Sequence, residues 1–184
     1  LLWVTETPYQ TYFDGAQFVH FLLGPATVAL AIPLYIHFQA VKRSALAIIT
    51  TVIVGSATAA ASAVGVAWAM GATRETLLSI APKSVTMPIA MGISEKLGGL
   101  PSLTAVLVLL TGIAGAMLAT WTLNLLGIRD WRARGLATGI AAHGIGTARA
   151  LQVNEVAGAF ASLGMGLNAL ATAVLLPLLA ALFL

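Results

Sequence analysis

Residues 101–127 read PSLTAVLVLLTGIAGAMLATWTLNLLG, twenty-seven positions without a charge. About 20 apolar residues let a helix cross the roughly 30 Å hydrocarbon core of a bilayer. A barrel strand would alternate apolar and polar side chains over about ten residues, and this run does not alternate. The rest of the chain has the same character: of 184 residues, 59% are hydrophobic and 8% charged, with a mean hydropathy of +0.97. A soluble domain carries about 25% charged residues. The sequence therefore predicts an all-α polytopic membrane protein, a single domain over 1–184. There is no cysteine, which excludes disulfides and thiolate metal sites. Nine basic residues against six acidic ones give a net charge of +3. In so apolar a chain that excess reads as loop cations on one membrane face and not as a nucleic-acid surface.

Outward from this run, the apolar segments are 17–38, 44–71, 77–95, 101–127, 135–152 and 156–184. Leu1–Val4 reads as the tail of an apolar helix, so at least one helix is expected upstream. Segments 44–71 and 156–184 are long enough to span, the latter with Pro177 near its end. Residues 55–65, GSATAAASAVG, form a small-residue face suited to close helix packing. Trp3, Trp68, Trp121 and Trp131 fall towards segment ends, as in an aromatic belt.

The other three segments are interrupted: Gly24-Pro25-Ala26-Thr27 followed by Pro33, then Ala81-Pro82-Lys83-Ser84-Val85-Thr86-Met87-Pro88, then His143-Gly144-Ile145-Gly146-Thr147-Ala148-Arg149. Proline inside a helix costs about 3 kcal/mol and frees a carbonyl. In lipid such irregular backbone survives only inside protein or beside a water-filled cavity. Plain kinks account for Pro33 and Pro177, but poorly for the polar interruptions. Pro-x-[Ser/Thr]-Val at 25–28 and again at 82–85 is a weak sign of internal duplication.

Loop charges choose between topologies. If all six segments cross, Lys42, Arg43 and Lys96 oppose Arg74, Arg129, Arg132 and Arg134, which gives no bias. If 77–95 is a re-entrant hairpin, Lys42, Arg43, Arg129, Arg132 and Arg134 share one side against Arg74 and Lys96. Five against two fits the positive-inside rule. Segment 135–152 would then enter from the arginine-rich side, and two broken tips would meet near the midplane, an inverted-repeat arrangement known from secondary transporters.

These tips carry the candidate site. An intramembrane cation costs at least about 2.5 kcal/mol and normally has a partner or a task. Lys83 and Arg149 are the two such cations; the plain alternatives are snorkelling and an Arg149–Glu155 pair. Ser84, Thr86 and Thr147 offer hydroxyls, Gly144 and Gly146 let backbone approach a ligand, and half-helix N-termini favour anions. Together they predict a pocket for a small organic anion. His143 is a candidate proton carrier. Thr27, Glu95 and Asn168 are candidates for the surrounding shell, although Glu95 can simply face water and Asn168 can simply bond a neighbouring helix. His20 and His37 read as interfacial. No metal site is expected, and no cofactor; a coupling proton or sodium ion is left open. The nucleotide, zinc-protease and serine-hydrolase motifs are absent, so no enzyme class is indicated. Gly135-x-x-x-Gly139 is a weak packing signal.

The stretches FLLGPATVALAIPLY (21–35), APKSVTMPIAMGISEKLGGLPSLTAV (81–106), AAHGIGTARALQ (141–152) and GAFASLGMGLNALATAVLLPLL (158–179) resemble the LrgB/CidB family. The resemblance runs over nearly the whole chain, is most specific in PKSVT-x-PIA and HGIGTARA, and is nearest to Gram-negative inner-membrane members. Thr86-Met87-Pro88 departs from the Thr-Thr-Pro of many members. The resemblance implies a multi-pass protein of the bacterial inner membrane with one of two roles. One is an antiholin-like modulator of murein hydrolase export and autolysis, working beside a small holin-like LrgA/CidA partner. The other is transport of small 2-oxo and 2-hydroxy acids such as pyruvate; a plastid relative exchanges glycolate and glycerate. The intramembrane cations beside broken helices favour transport, with a homo-oligomer or an oligomeric pore as further arrangements.

Overall fold

Long uncharged runs become single helices, and the interrupted runs 77–95 and 135–152 become pairs of half-length helices. The computed structural model describes residues 35–183 together with Thr11 and Gly15, with side chains described as far as Leu178. Most of segment 17–38, with Thr27, Pro25, Pro33 and His20, lies outside the described residues, as does Leu1–Val4. Seven helices are described: α1 (Phe38–Arg43), α2 (Ala45–Ala69), α3 (Arg74–Ile80), α4 (Met87–Leu97), α5 (Pro101–Leu125), α6 (Trp131–Val153) and α7 (Glu155–Phe183). Among the described residues there is no strand. Three stretches are long and apolar enough to cross a membrane: Ala45–Ala69, Pro101–Leu125 and Glu155–Leu178. The fold is that of an all-α membrane protein.

Segment 77–95 is a hairpin. Thr73 opens α3, its hydroxyl accepting from the Thr76 amide at 3.4 Å. The helix stops at Ile80, because Pro82 follows. Residues 81–86 turn the chain, and Pro88 sits in the first turn of α4, where its missing N–H costs nothing. The Thr104 hydroxyl of α5 lies 3.0 Å from the Ser79 carbonyl and 2.8 Å from the Ser94 hydroxyl, tying both arms together. A Cβ on Gly99 would come within 3.0 Å of the Ser79 amide, so only glycine lets the chain leave there. α3 and α4 rise about 10 and 16 Å at 1.5 Å per residue, each about half a bilayer core or less.

α6 is also folded back on itself. His143 has φ 41° and ψ −133°, and it separates halves 131–142 and 144–153. A Cβ on Gly146 would lie 3.0 Å from the Thr138 carbonyl oxygen. Eight residues apart on an unbroken helix are separated by about 12 Å. The two ends, Trp131 and Val153, line one small void with Arg134 and Ala150. Half 131–142 lies along α7, where Gly135 and Gly139 touch the carbonyls of Ala157 and Ala161 and leave no room for a Cβ. The Gly-x-x-x-Gly pattern, weak as a signal in the sequence, is thus a backbone contact.

The directions of the helices follow from their partners. Ser56 of α2 bonds Asn168 of α7, and Ser56 and Ala60 meet Thr172 and Leu176, so α2 and α7 run the same way. α5 runs opposite, with Gly115 against Ala142 and Asn124 against Arg134. Lys42, Arg43, Arg129, Arg132 and Arg134 therefore gather at one end of the bundle, and Arg74 and Lys96 at the other. The order of a hairpin followed by a spanning helix occurs twice, over 74–125 and 131–183, with opposite sense. The core joins α2, α6 and α7 through Ile48, Val52, Leu136, Ile140 and Phe160.

Candidate functional site

The two hairpin tips meet on Asn168, near the middle of α7. Its side chain is 1% exposed. Nδ2 donates to the Ser84 carbonyl at 2.9 Å and to the Ile140 carbonyl at 3.1 Å. Its Oδ1 accepts from Ser56 and, at 3.5 Å, from Thr172. The Ile140 carbonyl would accept from residue 144 in an intact helix, so the break at His143 strands an acceptor and Asn168 supplies the donor. One amide thus satisfies a carbonyl from each tip. The sequence marked Asn168 as a candidate for the shell around the site or as a bond to a neighbouring helix; its two partners, 84 and 28 positions away, had no local signal.

Lys83 projects from the first tip into a cleft of about 440 Å³ between α5 and half 131–142 of α6. Thr111, Gly115, Ala119 and Thr122 line one wall, and Thr138 and Ala142 the other. The only partner of Nζ among the described residues is the Ser84 hydroxyl at 3.4 Å. The sole ion pair among those residues joins Arg132 to Asp130 at 2.7 Å, so Lys83 has no carboxylate against it there. The Thr111 hydroxyl donates to the Leu107 carbonyl at 2.7 Å, and that of Thr138 to the Arg134 carbonyl at 2.8 Å. Both therefore face the cleft as acceptors only. Among the lining residues the donors for an anion are the Lys83 ammonium and, towards the far end, the Thr122 hydroxyl; Ser84, beside Lys83, is buried and does not line the cleft.

The remaining sequence candidates divide. Thr86 caps α4, half-buried and without a side-chain cap bond. His143 is 4% exposed, with Nε2 2.9 Å from the Val108 carbonyl, so that nitrogen carries hydrogen and holds the tip against α5. The Thr147 hydroxyl is spent on the His143 carbonyl at 2.7 Å. Neither His143 nor Thr147 lines the Lys83 cleft. Gly146 is small to let the hairpin close on Thr138, and not to admit a ligand; a Cβ on Gly144 would meet only Met165 sulfur, at 3.9 Å. Glu95 and Glu155 are exposed.

Arg149 is not brought to Lys83. It is exposed and lines the small void at the base of the second hairpin with Arg134 and Trp131. Six residues from the turn, it sits about 9 Å down the half-helix, and it forms no ion pair with Glu155. The expected anion pocket built on two cations is thus a cleft with one. The half-helix dipoles are two-sided as well: each tip holds one positive N-terminus and one negative C-terminus.

Arg134, counted among the loop cations, is 8% exposed. Its guanidinium donates to the Ile128 carbonyl at 2.7 Å and to Asn124 Oδ1 at 2.9 Å, with the Trp131 ring centroid 5.1 Å away. It closes the C-terminal end of α5 as well as adding charge to that face.

A family model described as the LrgB-like family matches residues 1–182. A Bacillus subtilis protein, "Uncharacterized protein YwbG", is 39% identical over 97% of this chain and 80% of its own length. A Haemophilus influenzae protein printed as "Uncharacterized protein" is 36% identical over 96% of this chain and 77% of its own. "Holin-like protein CidB" of Staphylococcus epidermidis is 32% identical over the whole of this chain and 80% of its own. No solved structure matches.

Proposed function

This chain belongs to the LrgB-like family, and from that premise we propose that it carries small monocarboxylates, of the pyruvate, glycolate or glycerate type, across the bacterial inner membrane. The observation that carries this reading is the cleft at the meeting point of two half-length hairpins, with the Lys83 ammonium in it and no carboxylate opposite among the described residues. A cation kept in apolar surroundings without a countercharge favours a ligand that brings one. Lys83 holds the carboxylate beside the Ser84 hydroxyl, and Thr111 and Thr138 accept from a substrate hydroxyl. Hairpins entering from opposite ends supply two gates around that point, which suits alternating access. The five-to-two division of cations favours a cytoplasmic arginine-rich end. Uptake of labelled pyruvate or glycolate into proteoliposomes tests this. Lys83→Ala should abolish saturable flux and Arg149→Ala should leave it; full flux in Lys83→Ala overturns the assignment.

The names of relatives speak more directly for a second reading. The staphylococcal proteins are named holin-like, and on that reading this chain is an antiholin-like modulator of murein hydrolase export, paired with a small LrgA/CidA-like membrane protein. It predicts an autolysis phenotype that needs the partner and survives loss of Lys83. An oligomeric pore would instead give channel-sized conductance events. None of these readings assigns the chain a catalytic step.

A further inference from the structure

The cleft around Lys83 is much larger than a three-carbon acid. At about 440 Å³ it has room for on the order of fifteen waters, whereas pyruvate has six non-hydrogen atoms. Its shape is elongated. The α5 wall runs from Thr111 to Leu123, about 18 Å at 1.5 Å per residue. Lys83 stands at one end, because Ser84 is tied through Asn168 to Ile140, and Gly115 touches Ala142 at that level. The other end reaches Leu123, near the Asn124–Arg134 contact. Between them the walls are Ala114, Leu118, Ala119, Ala137 and Ala141, and the Thr111 and Thr138 hydroxyl protons are committed to helix carbonyls. The cleft is thus cationic at its head and apolar along most of its length, with the Thr122 hydroxyl as a donor near its far end.

We propose that this cleft binds unbranched aliphatic monocarboxylates, with the carboxylate on Lys83 and the alkyl tail lying along α5 between Ala114 and Leu123. This rests on the reading of Lys83 as a carboxylate anchor and extends it to the tail. Small residues at 114, 115, 119, 137 and 141 leave a continuous trough, and an apolar tail fills it without asking for donors the walls lack. Free fatty acid and the acyl chain of a lipid share this chemistry, and only the free acid brings the carboxylate head that Lys83 selects.

The test is binding of a series from acetate through butanoate and hexanoate to octanoate to the protein in nanodiscs, with empty nanodiscs subtracted. Glycolate and pyruvate are measured alongside. Affinity should rise about threefold for each added methylene, as burial of alkyl surface requires. Lys83→Gln should remove the headgroup term across the series, Lys83→Arg should restore it, and octanol should bind no better to wild type than to Lys83→Gln. Ala119→Leu, which fills the trough about one turn beyond Gly115, should weaken octanoate at least tenfold and leave acetate and glycolate unchanged. Lys83-dependent binding of short acids with no gain along the series overturns the tail site and spares the anchor. Equal affinities in wild type and Lys83→Gln throughout the series overturn the anchor itself, and if those equal affinities still rise with chain length the trough belongs to lipid chains.

Discussion

Asn168 and His143 show how single side chains hold two interrupted helices together. Asn168→Leu removes two donors and leaves the Ser84 and Ile140 carbonyls buried without partners. Each orphan costs about 1–3 kcal/mol, so the detergent-solubilised variant should unfold at clearly lower temperature. An unchanged midpoint would show that the tips are held by other contacts. At His143 the backbone adopts φ 41°, a region that penalises any side chain. His143→Gly relieves that strain while losing the Val108 contact; His143→Ala loses the contact and keeps the strain. The glycine variant should therefore be the more stable of the two, by about 1 kcal/mol. The sequence made residue 143 visible as a break but not its rotation, because a His-Gly pair is compatible with a kink, a turn or a hairpin.

Close contact between elements decides which glycines matter. Gly135 and Gly139 place α6 directly on the α7 backbone, and a methyl at either position collides with a carbonyl that a helix cannot withdraw. Gly139→Ala should cost about 1–3 kcal/mol or more. Gly65→Ala, with nothing within 4 Å of the new Cβ, should be neutral or stabilising by about 0.5–1 kcal/mol. The pair of variants, followed by thermal unfolding, separates packing from helix propensity. At the head of α6, Asp130 caps the helix through the Arg132 amide at 2.8 Å. The side-chain hydrogen bond from Arg132 lowers its carboxyl from 3.8 to about 2. A lowered acid contributes stability above its unfolded value and loses it as pH falls through the folded one. The cap should therefore persist at pH 4 and fail only towards pH 2. Asp130→Ala should cost about 0.5–2 kcal/mol at neutral pH and remove that acid dependence.

For the entire bundle, the hairpin topology makes one decisive forecast. Single cysteines replacing Lys42 and Arg129 should react with an impermeant maleimide from one face of the membrane, and those replacing Arg74 and Lys96 from the other. The chain has no cysteine of its own, so each introduced thiol is the only reporter. Labelling of Arg74→Cys and Lys96→Cys from opposite faces would mean that 77–95 crosses, and would remove the meeting of tips on which the site depends.

Length and apolar character sufficed to read the membrane class, the spans at 101–125 and 155–178 and the broken state of 81–88 and 143–149, because water exclusion and the cost of proline, glycine and polar groups inside an apolar helix act locally. Loop charge was enough to favour a hairpin at 77–95. The contacts between distant positions belong to the folded chain alone. Lys83 and Arg149 look alike in the sequence as intramembrane cations beside broken helices. Folding sends Lys83 into a cleft at the tips and Arg149 to an exposed base about two turns away, because the hairpin at His143 closes on Gly146 and turns the second half-helix back. Which cation can meet a ligand is set by that packing, a many-body property that no single segment encodes.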